Sequence, residues 1–134
     1  MTVKIADLAM LRGDSLSIAI VCKQKTSDGS EVNVDLTLGG VKLWMTAKRR
    51  IVDTDANAVF QITSPTDIVI DPDSLSGAAT ITVPADATKD LRYGEGVTRI
   101  ELYYDIQVKL GSGYIQTLQK GKLFVDADVT QAVV

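Results

Sequence analysis

The twelve residues from Arg99 to Leu110 constrain this chain more than any other stretch. Apolar side chains fall at Ile100, Leu102, Tyr104, Ile106, Val108 and Leu110, with Arg99, Glu101, Tyr103, Asp105, Gln107 and Lys109 between them. In a strand successive side chains point to opposite faces, so a strict period of two buries one set and wets the other. One packed face and one wet face is the signature of an antiparallel sheet.

The same period recurs elsewhere. Leu16, Ile18, Ile20 and Cys22 alternate with Ser15, Ser17, Ala19 and Val21; Val32, Val34, Leu36 and Leu38 form a second run; Leu43, Met45 and Ala47 alternate with Trp44, Thr46 and Lys48. Shorter strand candidates are Val59 to Thr63, Asp67 to Ile70 and Ala78 to Val83. Asp28-Gly29, Gly39-Gly40, Asp71-Pro72 and Gly111-Ser-Gly113 are turn signals between them. The polar segment Lys23 to Glu31 and the charged segment Arg50 to Asn57 read as loops. Pro84 opens a single helical turn through Leu91, because proline suits the first helical position. The strand from Tyr114 to Val125 changes phase, with Tyr114, Gln116 and Leu118 on one parity and Leu123 and Val125 on the other. One extra residue near Lys120-Gly121, a β-bulge, restores the inward face. About seven to nine strands with frequent turns predict an all-β chain, a single antiparallel β-sandwich domain over residues 1–134.

Composition narrows the function. At 134 residues one core forms without metal or disulfide, and 46% hydrophobic content is ordinary for a globular domain. The net charge of −3, with both signs dispersed, argues against nucleic acid as a partner. Met1 to Met10 carries Lys4 and Asp7 and does not read as a signal peptide, and no run approaches the ~20 apolar residues of a membrane span. The expectation is synthesis in a reducing cytoplasm and no membrane partner. Cys22 stands alone, so the disulfide of an antibody-type domain is absent, and it reads as a small buried hydrophobe. The chain has no histidine, which removes Ser-His-Asp and Cys-His nucleophilic machinery and most zinc sites. The pairs Asp53/Asp55, Asp71/Asp73 and Asp126/Asp128 read as turn and solubility chemistry ahead of calcium ligands. No catalytic, cofactor or metal residue is assigned, and the chain is expected not to be an enzyme.

Arg12-Gly13-Asp14 matches an integrin-recognition tripeptide but lies directly before a strand, where Gly13 supplies a turn and Asp14 braces it. Gly94-Glu95-Gly96 lacks the strand-to-helix setting of a phosphate loop. Tyr103 or Tyr104 is a candidate corner tyrosine, bonding through its hydroxyl to nearby backbone. The outward positions are more informative. If Leu43 and Met45 point in, Trp44 points out; if Leu102 and Tyr104 point in, Tyr103 points out. On neighbouring strands these two share one face with Ile115, and large aromatics on a wet face are what protein interfaces use.

Several segments in order carry a resemblance: Val3-Lys-Ile-Ala-Asp-Leu8, Leu11-Arg-Gly-Asp-Ser-Leu16, Asp28-Gly29, Val34-Asp-Leu36, Gly40-Val-Lys-Leu43, Ala85-Asp-Ala-Thr88, Tyr103-Tyr-Asp-Ile-Gln-Val108 and Gly121-Lys-Leu123. Together they resemble the Ig-like β-sandwich domains among the structural proteins of tailed bacteriophages, above all the N-terminal domain of the baseplate upper protein family. The resemblance implies an Ig-like sandwich and a non-catalytic role in a virion, assembled in the host cytoplasm. Its partners would be other virion proteins and further copies of itself. Members of that family usually extend further toward a receptor-binding protein, whereas this sequence ends at Val134. A tail or baseplate subunit is the first expectation and a head decoration or neck protein the alternative. A bacterial surface adhesion or carbohydrate-binding module is a third. The apolar tail Ala132-Val-Val134 and the edge strands offer backbone pairing to a neighbour.

Overall fold

In the computed structural model, which describes residues 3–128, the alternation of the long strand is obeyed. Leu102, Tyr104, Ile106 and Val108 are buried, and Arg99, Glu101 and Lys109 lie in solvent. Eleven strands run in the order β1 (Lys4–Ile5), β2 (Leu8–Leu11), β3 (Leu16–Val21), β4 (Lys23–Lys25), β5 (Glu31–Asn33), β6 (Lys42–Lys48), β7 (Phe60–Thr63), β8 (Ile68–Ile70), β9 (Ala78–Val83), β10 (Arg99–Lys109) and β11 (Ile115–Asp126). Short 3-10 turns at Asp55–Asn57 and Ala85–Ala87 are the described helical elements, the second directly after Pro84.

The strands form three sheets. The widest has the order β1-β11-β10-β6-β7, with β2 also paired to β11; a narrow sheet has the order β3-β9-β8; β4 and β5 form a hairpin. Leu43, Met45, Leu102, Ile106, Leu123 and Val125 of the wide sheet share one apolar cluster with Ile18, Ile20, Ile68, Ile81 and Val83 of the narrow one. Burying each such side chain is worth about 1.5–3 kcal/mol, which is why the period-two pattern dominates the fold.

Several expectations need correction. The strand number is eleven, above the seven to nine expected, and the pairing is not purely antiparallel. β1 and β2 run parallel to β11 in one continuous register, Lys4↔Gln119 and Ile5↔Lys120, then Leu8↔Leu123 through Leu11↔Asp126. The run Val32 to Leu38 ends as a strand at Asn33. Beyond it the Asp35 carboxylate accepts the Thr37 backbone N–H at 2.9 Å and its hydroxyl at 2.6 Å, and this turn, not a strand, delivers Leu36 to the core. The segment read as a loop before it holds β4, which pairs with β5 in a hairpin exposed on both strands.

The bulge in β11 exists but lies earlier than Lys120-Gly121. Ile106 opposes Gln119 while Gln107 opposes Thr117, so Leu118 is the extra residue. Leu118 and Gln119 are consequently buried side by side. Gln119 brings a polar amide inward, and it is satisfied there, since its Nε2 donates to the Tyr104 hydroxyl at 2.9 Å. That hydroxyl donates in turn to the Ala6 carbonyl oxygen at 2.5 Å. The expected corner tyrosine is thus not what forms: the Tyr104 hydroxyl bonds a carbonyl 98 positions away in sequence, not nearby backbone.

Gly121 explains why β1 and β2 can lie on β11 at all. A Cβ there would sit 2.1 Å from the Ala6 carbonyl oxygen, far inside contact distance. At this crossing the Ala6 N–H donates to the Lys120 carbonyl at 3.0 Å and the Asp7 carboxylate accepts the Lys122 N–H at 3.0 Å. The break between β1 and β2 therefore leaves these backbone groups paired. The tail Ala132 to Val134 lies outside the described residues.

Candidate functional site

Register across the wide sheet sets which outward side chains meet. Gln107 stands opposite Trp44 on β6 and Thr117 on β11; Asp105 opposite Thr46 and Lys120; Tyr103 opposite Lys48 and Lys122. Trp44 and Tyr103 therefore share the outward face, as expected, but not a rung. Four residues of β10 separate their positions, roughly 14 Å at about 3.4 Å per residue, with Asp105 midway. Ile115 sits on the same face opposite Lys109, at the far end of the strands, and is 53% exposed.

Trp44 and Tyr103 are half-buried and line a groove of about 630 Å³ on this face; Ile115 does not line it. Its rims are built by two elements the sequence reading did not connect to the site. β1 contributes Ile5, 74% exposed, and the loop after β6 contributes Ile51, 72% exposed. The loop is shaped locally: the Asp53 carboxylate takes the Arg50 backbone N–H at 3.2 Å and the guanidinium Nε at 3.1 Å. The 3-10 turn that follows places Asp55 against Lys48, 2.8 Å apart, and this ammonium holds the Asp55 carboxyl below the usual range.

Asp105 also lines the groove. Burial pushes its carboxyl upward, Lys48 opposes that shift, and the Asp55 charge reinforces it. On the neighbouring rungs Gln61 Nε2 donates to Thr46 Oγ1 at 2.9 Å, and Lys122 pairs with Glu101 at 2.9 Å. Asp105, Ile5 and Ile51 were missed from sequence. Asp105 carried a signal, since it shares the outward phase of Tyr103 and Gln107. Ile5 and Ile51 carried none, because only tertiary pairing brings them to the rims.

The other sequence candidates resolve into structure. Arg12 pairs with Asp128 at 2.8 Å and donates to the Leu91 carbonyl at 3.3 Å, and its side chain is 13% exposed. Gly13 adopts φ of 80°, the left-handed region that favours glycine, and its N–H meets the buried Thr88 hydroxyl at 2.9 Å. Arg12 and Gly13 are thus held within the fold, while Asp14 is exposed. Of the paired aspartates, Asp71 and Asp73 accept backbone N–H groups in their own turn, both at 2.9 Å, and Asp126 pairs with Arg99 at 2.7 Å. Among the described residues no group of three or more Asp, Glu or Cys side chains is arranged to hold a metal ion. Cys22 is fully buried, and burial pushes its thiol up to about 11. Among the described residues no helix is long and apolar enough to cross a membrane.

A second cavity of about 610 Å³ lies between β1, β3 and the β4–β5 hairpin and has a different character. Lys4, Lys23, Lys25 and Glu31 surround it and no aromatic side chain lines it. Compared with known proteins, the chain matches no family model and no curated protein.

Proposed function

We propose that this chain is a non-catalytic, Ig-like β-sandwich building block of a tailed-phage virion, a tail or baseplate subunit that works by protein–protein docking. The observation that carries the reading is the outward placement of Trp44 and Tyr103 around one groove on the widest sheet. A fold stabilised only by its core has no need of two large aromatics there. Interfaces use such side chains as anchors, because they bury much area at low conformational cost. Exposed Ile5 and Ile51 extend the apolar surface, and the ion pairs Lys48–Asp55 and Lys122–Glu101 form a charged rim that sets register. The ordered segments resembling phage Ig-like domains supply the virion context. Each copy offers a modest patch, and ring or lattice symmetry multiplies the affinity.

The test is incorporation into particles. Trp44→Ala combined with Tyr103→Ala is expected to remain folded by circular dichroism and to vanish from purified virions. Normal incorporation of the double variant would refute the docking role. Mass spectrometry of the same particles gives copy number: a few copies support the tail or baseplate, and hundreds move the subunit to the capsid shell.

A further inference from the structure

The second cavity, which shares no lining residue with the Trp44 groove, runs along a strand edge. Three consecutive residues of β3 line it: Ile20, which faces the core, and Ala19 and Val21, which face solvent. A cavity that touches both faces of a strand lies at its edge, where the backbone points. β3 is the outer strand of the narrow sheet, and β4 pairs with β5 alone among the described residues. In an antiparallel pair alternate residues turn their N–H and C=O toward the partner strand. The Cys22 N–H donates to the Gly77 carbonyl at 2.8 Å, on the β9 side, so Ala19 and Val21 turn theirs away from β9. On the hairpin, the Cys22 carbonyl accepts the Val34 N–H at 2.9 Å and the Thr26 N–H donates to the Ser30 carbonyl at 2.8 Å. Lys23 and Lys25 therefore turn their backbone groups away from β5. Lys4, Lys23 and Lys25 surround this edge against the single carboxylate of Glu31, and none of the four forms an ion pair among the described residues, although Glu31 stands directly across the hairpin from Lys25.

We propose that the open edge of β3 and β4 takes an extended acidic segment of a partner protein as an added strand, with carboxylates at alternate positions meeting Lys23 and Lys25. The backbone groups of Ala19, Val21, Lys23 and Lys25 supply the main-chain bonds, and the side chains supply the selection. Lys23 and Lys25 are two residues apart, roughly 7 Å along a strand, so acidic residues spaced by two on the incoming strand stand opposite both. An apolar or small residue two positions further along meets Val21, which is 52% exposed. Lysines at a sheet edge ordinarily repel a strand that would pair there; against an acidic strand the same charges attract, so one device excludes most segments and admits one kind. The chain's own paired aspartates are engaged at home. Asp53 bonds Arg50, Asp55 bonds Lys48, Asp126 bonds Arg99 and Asp128 bonds Arg12, while Asp71 and Asp73 accept N–H groups of their own turn. The occupant is therefore a segment of another protein and not a second copy. This site stands apart from the docking groove, and either can fail without the other.

The full chain is titrated, by fluorescence anisotropy, into three fluorescein-labelled peptides: Thr-Glu-Thr-Glu-Thr-Val-Thr, the same peptide with glutamine for both glutamates, and one of equal charge with the two glutamates adjacent. The first is expected to bind at least about tenfold tighter than the glutamine peptide, and tighter than the adjacent-glutamate peptide. At saturation, hydrogen exchange is expected to slow at the amides of Ala19, Val21, Lys23 and Lys25, because a paired strand bonds them and a contact through side-chain charge alone does not. Lys23→Gln combined with Lys25→Gln is expected to remove the preference for glutamate with an unchanged circular dichroism spectrum, both side chains being exposed; the peptide comparison itself needs no variant. No binding of the first peptide, equal binding of the glutamate and glutamine peptides, equal binding of the two glutamate spacings, or binding without slowed exchange at those amides would each overturn the assignment.

Discussion

The two larger sheets are alike inside and unlike outside. Their inward faces are built from the same aliphatic residues and meet in one core. Outward, the wide sheet carries Trp44, Tyr103, Asp105, Lys48 and Lys120 around a groove. The narrow sheet carries Ser17 opposite Thr82, Ala19 opposite Thr80, Val21 opposite Ala78, and Val69 opposite Thr80, with no charge and no aromatic ring on those rungs. Strand length accompanies the difference. β10 and β11 span 11 and 12 residues, whereas β3 and β9 span 6 each. Inward residues are therefore interchangeable in kind between the sheets, and outward residues are where one sheet differs from the other in what it can bind.

The sharpest way to break this comparison is to cut equivalent cavities in both sheets. Leu102→Ala in the wide sheet and Ile81→Ala in the narrow one should each cost about 2–5 kcal/mol in chemical unfolding, since both side chains are fully buried. A near-neutral value for either would show that the two layers do not share one core. Next in size is Gly121→Ala. The added methyl meets the Ala6 carbonyl, so a loss of about 1–3 kcal/mol is expected. Hydrogen exchange should show β1 and β2 loosened, with β3, β8 and β9 as protected as before.

Docking comes third. Trp44→Ala or Tyr103→Ala alone should weaken incorporation about tenfold or more, as anchors do. Val69→Thr and Thr80→Ala on the narrow face should leave it unchanged. Equal losses from both faces would erase the functional contrast.

The smallest effect is a pH dependence at Asp105. Its folded pKa is raised, so its contribution to stability is full below the unfolded carboxylate value, near pH 3.9, and is lost as pH rises through the folded value. Asp105→Asn should therefore raise the melting temperature at neutral pH relative to the parent, and the gain should shrink on acidification. Lys48 from β6, Lys120 and Lys122 from β11, Asp7 and Asp55 all face the same groove. Of these, Asp55 has the opposite sign: its lowered pKa gives stability above its unfolded value that is lost as pH falls through the folded one. Melting curves of the two proteins across this range read Asp105 together with its coupling to Asp55, whose charge acts on it.

Much of the architecture was legible from side-chain period alone. β3, β6, β7, β8, β9, β10 and β11 fall where alternation put them, since each buries one face against a shared core. Where burial is achieved by something other than alternation, the reading failed. Leu36 enters the core from a turn braced by Asp35, which mimics a strand in sequence. β4 is polar and exposed at all three residues, so hydrophobic pattern is blind to it. The phase change in β11 was visible between Leu118 and Leu123, but its location was not. Gln119 is polar, and its inward place is intelligible only with the Tyr104 hydroxyl there to receive its amide. At the candidate site Trp44 and Tyr103 were legible for the same reason as the core: each occupies the alternate phase of a strand whose inward partners are unmistakable.

The order of residues by itself determined which side chains face the core along each long strand, because pleat geometry leaves only two faces to choose between. Tertiary structure alone decided that β1 and β2 lie beside β11, more than a hundred residues away, and that the Ile51 loop folds over β6. Those contacts depend on a register in space, on a carbonyl passing over a bare glycine, and on a hydroxyl reaching across the chain. No local spacing encodes a distance between segments so far apart, and so the groove's rims and its depth emerge only when the sheet forms.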